Sequence, residues 1–188
     1  MSDLVLAFDT ATAATVVGAA SGDGATVVRR HDPGPGERPG HATRLLGLVD
    51  EALGELGAAL PDVTRIGIGV GPGSFTGLRI GVATGRALLL ATGAEGVPVC
   101  TLDALAWGTA AVAPGDPVLA VLDARRGEVY VAAWGDGART LEPVPLAPGD
   151  LGAAAATHAP GGPAVGDGAI RYREALQEAG VAVAPDGD

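Results

Sequence analysis

The sequence predicts an α/β protein of two lobes, each a mixed β-sheet with flanking helices. Three short apolar β-runs are followed by alternating helical and strand patterns, and this order of elements occurs twice along the 188 residues. No sequence identity links the two copies, so the repeat is one of element order only. A break containing proline and glycine, at 113–117, lies between them. We expect a first lobe at 1–101 and a smaller second lobe at 102–188.

The first lobe begins with three β-runs separated by a Thr/Ala turn and a Gly-Asp-Gly turn. Leu45, Val49 and Leu53 then recur at helical spacing and Gly57 ends the pattern, which predicts an amphipathic helix. An apolar strand, a glycine-rich helix and a further strand complete the lobe. The expected elements are strands 4–9, 14–20 and 25–30, helix 41–57, strand 65–70, helix 74–92 and strand 97–101.

The second lobe repeats this order after a helix at its start. Its three β-runs are again short and rich in Val and Ala, and a weak helical pattern follows them. The expected elements are helix 102–113, strands 118–123, 128–134 and 139–144, helix 148–156, strand 164–166, helix 169–180 and a final run at 181–184.

Composition and charge exclude several classes of function. The formal net charge is −10 and all twelve cationic residues are arginine, so the chain as a whole repels a phosphate backbone. Aromatic residues make up only 3%, too few for base-stacking platforms. The one cysteine, Cys100, excludes an internal disulfide and a cysteine-based zinc site. The N-terminal residues lack a signal-peptide pattern, and we expect a cytoplasmic protein with no membrane contact.

The loop GPGSFTGLRIG, residues 71–81, directly follows an apolar strand and suggests a phosphate site. A Walker A motif fails because the chain has no lysine, and both a dinucleotide-binding motif and a serine-hydrolase elbow need glycine where Thr76 stands. Ser74 is expected to cap the following helix, with anion binding at the helix N-terminus as the alternative.

Glycine also recurs every four residues inside the second helix, at Gly73, Gly77, Gly81 and Gly85. This spacing places the glycines along one side of the helix, and each interior glycine costs about 1 kcal/mol relative to alanine. A close approach of another backbone would offset that cost. The backbone could be that of the protein's own sheet or that of a partner helix, and the sequence alone favours the sheet.

One aspartate ends the first strand of each lobe, and the two aspartates are candidate ligands of a magnesium–nucleotide complex. Asp9 precedes Thr10 and Thr12, and Asp123 occupies the corresponding place in the second lobe. The alternative is that these residues are ordinary turn formers, which we favour for Asp123. The three histidines form no paired metal-binding motif, so no metal or other cofactor is expected.

Several stretches closely resemble the bacterial TsaB family, formerly grouped with the glycoproteases. They include LAFDTATAATVVGA at 6–19, GPGSFTGLRIG at 71–81 and VLAVLDARRGEVYVAAW at 118–134. The resemblance covers most of residues 1–134 and implies a two-lobed actin-like ATPase fold of ribonuclease-H type. Family chains usually run some tens of residues further, so the second lobe is expected to lack a final C-terminal element.

The resemblance also implies a role and partners. TsaB proteins are non-catalytic partners of the paralogous threonylcarbamoyltransferase TsaD, and with the ATPase TsaE they install N6-threonylcarbamoyladenosine at position 37 of tRNA. The metal-binding histidines of TsaD correspond to Thr101 and Leu105 here, and neither residue type binds a metal. We therefore expect a scaffold subunit that contacts tRNA only through the complex. An ATP-dependent phosphotransferase with Mg–nucleotide between the lobes is the alternative.

Family members associate through the helix pair at 41–57 and 74–92, with TsaD and with themselves, so the resemblance shifts the interpretation of the glycines towards a partner. The vestigial nucleotide or anion residues would be Asp9, Thr10, Thr12, Ser74 and Asp123. The expected partner-interface residues are Leu45, Leu46, Val49, Leu53, Leu78, Gly81, Val82, Gly85 and Leu89.

Overall fold

The computed structural model describes residues 3–108, 113, 115–125 and 127–184. It divides into two compact units, Met1–Cys100 and Thr101–Asp188, each with its own sheet and its own hydrophobic core. In the part of the chain that is described, no helix is both long enough and apolar enough to cross a membrane.

The first unit is a five-stranded mixed sheet in the order β3-β2-β1-β4-β5. The first three strands form an antiparallel meander, and β4 and β5 run parallel to β1. The chain crosses between the parallel strands through helices, as parallel pairing requires. The elements are β1 (Leu4–Asp9), β2 (Thr15–Ser21), β3 (Thr26–His31), α1 (His41–Glu55), a 3₁₀ turn (Leu60–Asp62), β4 (Arg65–Gly71), α2 (Phe75–Thr92) and β5 (Glu95–Cys100).

Both helices of the first unit pack on the same face of the sheet. Alternate residues of β1 are buried, which is the pattern of a strand with one face in the core. Leu6 of β1 and Ile66 of β4 belong to a single apolar cluster with Leu45 and Val49 of α1 and Leu88 of α2. The helix layer therefore has one buried side, against the sheet, and one outer side.

The second unit is a four-stranded sheet in the order β8-β7-β6-β9, antiparallel except for the β6–β9 pair. Its core joins Leu119 and Val129 of the sheet to Leu151 and Leu176 of the helices. The elements are α3 (Thr101–Gly108), β6 (Val118–Arg125), β7 (Glu128–Gly135), β8 (Ala138–Leu146), a 3₁₀ turn (Pro148–Asp150), α4 (Leu151–His158), β9 (Ala164–Val165), α5 (Asp167–Arg171) and α6 (Arg173–Glu178).

Two expectations for the second unit were wrong. The helix expected at 169–180 is two short helices, because Tyr172 between them has φ −107° and ψ 28°. The run at 181–184 forms only an isolated bridge between Val183 and Ala164. The expected helix 102–113 extends partly into residues 109–112, which lie outside the described residues.

We expect Ile66→Ala to lower the free energy of unfolding of the first unit by about 2–5 kcal/mol, because Ile66 is fully buried in β4, an interior strand of the sheet. Val28→Ala is the matched control, since Val28 is largely exposed and should change stability by no more than about 0.5 kcal/mol. Urea unfolding of both variants measures the difference. Equal effects of the two substitutions would contradict the placement of the core.

Candidate docking surface

The loop between β1 and β2 is held against the N-terminal turn of α2. The Thr10 hydroxyl is buried and donates to the Gly77 carbonyl at 2.8 Å, and the Ser74 amide donates to the Ala11 carbonyl at 2.6 Å. Ser74 also caps α2, its Oγ accepting from the Gly77 amide at 3.3 Å. The glycine loop thus contacts the protein's own backbone, and Thr10 and Ser74, two of the residues proposed for an anion, take part in these hydrogen bonds.

The glycine side of α2 faces the protein's own sheet. Gly77, Gly81 and Gly85 are buried, and a Cβ on each would lie less than 3.0 Å from an atom of Thr10 or Ile68. Real Cβ atoms essentially never approach other atoms so closely, so a side chain at Gly77 would overlap the Thr10 backbone, and one at Gly81 or Gly85 would require the Thr10 or Ile68 side chain to shift. The expectation that Gly81 and Gly85 face a partner was therefore wrong, because the atoms that come close to them belong to the chain's own Thr10 and Ile68 side chains.

The other expected interface residues separate into three groups. Leu45, Val49 and Leu53 are buried in the core of the first unit, so their expected place on the outer surface was also wrong. Leu78 and Leu89 are half-buried. Only Leu46 and Val82 are exposed, by 55% and 36% respectively.

The opposite side of α2 carries large residues that the sequence analysis did not select. Phe75 is 74% exposed and Leu90 is 88% exposed. At 100° per residue, these two lie with Arg79, Val82 and Arg86 within an arc of about 80°. The Arg79 guanidinium lies over the Phe75 ring, 5.5 Å from its centroid. We call this set the α2 stripe: Phe75, Arg79, Val82, Arg86 and Leu90.

A signal for the stripe was present in the sequence. Once the buried side of α2 is set by Gly77, Gly81 and Gly85, the residues on the opposite side of the helix follow from the helical period. The sequence could not show that the glycine side was the inner one, since that depends on contacts with Thr10 and Ile68 from other strands.

Both candidate metal-binding aspartates act as local turn caps. Asp9 Oδ1 accepts from the Ala11 amide at 2.5 Å, and Asp123 Oδ1 accepts from the Arg125 amide at 3.0 Å. Asp123 Oδ2 also pairs with Arg171 at 2.9 Å. The Asp123 amide donates to Asp167, whose carboxyl has a pKa raised mainly by desolvation. Thr12, which lies in the loop between β1 and β2, is half-buried.

Segment 101–105, which lacks the histidines expected in TsaD, packs within the second unit. Thr101 and Leu102 are buried at the start of α3. Asp103 forms an ion pair with Arg139 of β8, which also pairs with Glu142 at 2.7 Å. Within the described ranges, no group of three or more His, Cys, Asp and Glu side chains is arranged to hold a metal ion.

Comparisons with known proteins find a family model, curated relatives and solved structures that are similar to this chain. A family model described as TsaD, tRNA N6-adenosine threonylcarbamoyltransferase, matches residues 38–165. TsaB of Escherichia coli (strain K12) is 40% identical over 130 residues, which are 69% of this chain and 54% of the relative. The structure of YeaZ from Pseudomonas aeruginosa matches with a TM-score of 0.66 at 33% identity, over 78% of this chain and 68% of that chain.

The chain belongs to the TsaB family. The α/β fold class predicted from the sequence, with a sheet and flanking helices in each of two units, is confirmed. An uncharacterised protein of Mycobacterium tuberculosis (strain ATCC 25618 / H37Rv) is also 42% identical over 153 residues, which are 78% of this chain. This TsaB-family chain spans 66% of the length of that relative.

In this TsaB-family chain we expect Gly81→Ala to lower the free energy of unfolding by about 1–3 kcal/mol, because the new methyl group would overlap Thr10 Oγ1. Thr10→Ala removes that oxygen, and the next atom, Thr10 Cβ, is 3.7 Å away. The double variant should therefore be no less stable than Thr10→Ala alone. A double-mutant cycle by urea unfolding measures this coupling.

Gly77→Ala is the matched control for this cycle. Its methyl group would overlap the Thr10 backbone carbonyl, which every residue type at position 10 retains. Thr10→Ala should therefore not rescue Gly77→Ala. Rescue of both glycine variants, or of neither, would contradict the described contact.

His41 joins α1 to the same loop region. It is the first residue of α1 and is buried, with Nδ1 2.8 Å from the Thr15 hydroxyl. Desolvation lowers the pKa of His41, against the smaller opposing effects of the Thr12 backbone and the Asp9 charge. The charge of His31 acts in the same direction as desolvation. The folded protein therefore favours neutral His41.

This shift predicts a loss of stability in mild acid. Because the folded-state pKa lies below the unfolded value of about 6.5, His41 stabilises the fold above that pH, and stability falls as the pH decreases below it. The loss is at most about 1.4 kcal/mol per pH unit. His41→Gln should flatten the pH dependence of urea unfolding between pH 7.5 and 5.5, whereas His158→Gln in the second unit should not. An unchanged slope in the His41 variant would contradict the shift.

Proposed function

We propose that this chain is a non-catalytic subunit in the biosynthesis of N6-threonylcarbamoyladenosine in tRNA, and that it docks a TsaD-type catalytic paralogue through the outer side of its helix layer. One observation carries the docking surface: the α2 stripe leaves Phe75 and Leu90 largely exposed on a helix whose inner side is fully packed. Large exposed apolar residues that share one helix face are typical of a protein–protein contact.

The names of the relatives support a role in the biosynthesis of N6-threonylcarbamoyladenosine. The relatives from Escherichia coli, Haemophilus influenzae and Bacillus subtilis are all named tRNA threonylcarbamoyladenosine biosynthesis protein TsaB. Each of these names describes the relative, and this chain is 30–40% identical to them over 90–130 residues. A role in the same modification is the simplest function that accounts for the shared features.

The segment 101–105 supports a non-catalytic subunit. Where TsaD is expected to carry metal-binding histidines, this chain has Thr101 and Leu105, and it uses the intervening Leu102 and Asp103 for packing and for the ion pair with Arg139. The reaction would therefore take place on the TsaD-type paralogue. A TsaE-type ATPase would complete the assembly in the cytoplasm, and tRNA would reach this chain only through the complex.

Leu90→Asp should weaken binding to the TsaD-type protein of the same genome at least about tenfold, because it places a charge at the most exposed apolar position of the stripe. Val28→Asp is the control, since Val28 is an exposed apolar residue on β3, outside the helix layer. Isothermal titration measures binding, circular dichroism checks folding, and a reconstituted tRNA-modification assay tests activity. Wild-type affinity of the Leu90 variant would exclude the stripe as the docking surface.

Self-association through the same helices competes with this assignment. Light scattering of the isolated chain distinguishes a homodimer from a monomer. Titration with Mg–ATP tests the phosphotransferase alternative, since a scaffold subunit should show no binding heat. Saturable binding of Mg–ATP that Asp9→Asn abolishes would support the enzyme instead.

A further inference from the structure

We infer that Arg79 and Arg86 determine which partner binds: they select an apolar helical surface that presents carboxylates opposite them. This inference rests on the proposed docking function and adds the chemistry of the partner. It concerns the charged members of the α2 stripe, which the family resemblance did not single out.

The two arginines form a purely basic pair on the stripe. They are seven residues apart, about two helical turns, so both point to the same side of α2. Both are exposed, and α2 contains no acidic residue. Any surface that covers Phe75 and Leu90 must therefore also cover or neighbour two guanidinium groups.

Five arginines elsewhere in the chain pair with its own acids. Acidic residues outnumber arginines by 22 to 12 in the sequence. Arg29, Arg30, Arg65, Arg139 and Arg171 all form ion pairs within the chain. Arg79 and Arg86 form no ion pair with any described residue, as is also true of Arg38 and Arg44, but Arg79 and Arg86 lie on the apolar stripe, where Arg79 is over the Phe75 ring.

The apolar part of the stripe indicates a protein partner rather than RNA. Phe75 and Leu90 would gain from burial against another apolar surface, whereas contacts with a phosphate backbone would leave these apolar side chains without an apolar partner. The net charge of −10 also opposes a nucleic-acid backbone. Arginine forms bidentate pairs with carboxylates at interfaces, so the matching surface is apolar and carries Asp or Glu.

A second copy of this chain is a poorer match for the stripe. A two-fold contact presents the same patch from both sides, so it would bring four guanidinium groups together. The exposed acids that could compensate, Asp50 and Glu51, lie on α1 rather than on α2. The basic pair therefore disfavours pairing of the stripe with itself and favours a different, acidic partner.

The test measures binding of the TsaD-type protein of the same genome to four forms of the chain by isothermal titration, at 50 and 500 mM salt. The forms are the wild type, R79E/R86E, R79K/R86K and the control R38E, which reverses an exposed arginine in the loop before α1. We expect R79E/R86E to raise Kd by roughly 30-fold or more at low salt. R79K/R86K should fall between the wild type and R79E/R86E, since lysine keeps the charge but not the bidentate geometry. R38E should stay within about threefold, since it changes the charge elsewhere.

The salt series provides a second readout. The wild-type Kd should rise with salt, and in R79E/R86E it should instead fall with salt, because charge reversal replaces the attraction with a repulsion that salt screens. A double variant that binds with wild-type affinity and unchanged salt dependence would overturn the inference. Binding of tRNA by the isolated chain that R79E/R86E abolishes, with TsaD binding unchanged, would overturn the protein-partner assignment.

Two further outcomes separate this inference from the proposed function. If the wild-type chain fails to bind the TsaD-type protein at either salt concentration, the docking function itself fails. If the wild type alone has twice the monomer mass and R79E/R86E is monomeric, the stripe pairs with a second copy and the inference is wrong. An equimolar mixture of wild type and R79E/R86E that associates while each alone stays monomeric would support charge selection at the stripe directly.

Discussion

The close approach of α2 to the loop between β1 and β2 is the constraint on which the first unit depends. Thr10 lies against Gly77 and Gly81, with its hydroxyl bound to the Gly77 carbonyl. Side chains at these positions would force the helix away from the sheet. Because the helix lies this low, Ser74 reaches the loop backbone and Ile68 packs directly against Gly85.

The same constraint orients the outer surface. Because the glycines of α2 must face the sheet, the helical period fixes which residues face outward. The rotation of α2 about its axis is thus set by its smallest residues. The large residues Phe75, Arg79, Arg86 and Leu90 are consequently exposed, the reverse of an ordinary amphipathic helix. Phe75 and Leu90 are exposed to water, and a partner that covered them would stabilise the complex by burying their apolar surface. Packing within the subunit and recognition outside it are thus two consequences of one arrangement.

Asp9 and Thr10, at the end of β1 and in the loop that follows it, form hydrogen bonds within the first unit. In a nucleotide-binding protein a Thr hydroxyl and an Asp carboxylate at the end of a first strand would be free to meet phosphate or magnesium. Here the Thr10 hydroxyl is buried on a helix carbonyl and Asp9 caps its own turn. Segment 101–105 shows the same change, since Leu102 and Asp103 serve the core and an ion pair of the second unit.

The sequence by itself determined the order of the strands and helices in the first unit, the capping role of Ser74 and the family, because these depend on local periodicity and on a contiguous motif. It also identified the glycines as a site of close approach, since the free-energy cost of glycine inside a helix must be offset by close packing. Only the tertiary structure decided which backbone comes close. Thr10 and Ile68 are distant from the glycines in sequence, so their contacts could not be read from spacing. The helix period allowed either side of α2 to face the sheet, and the packing of Thr10 against Gly81 selected one.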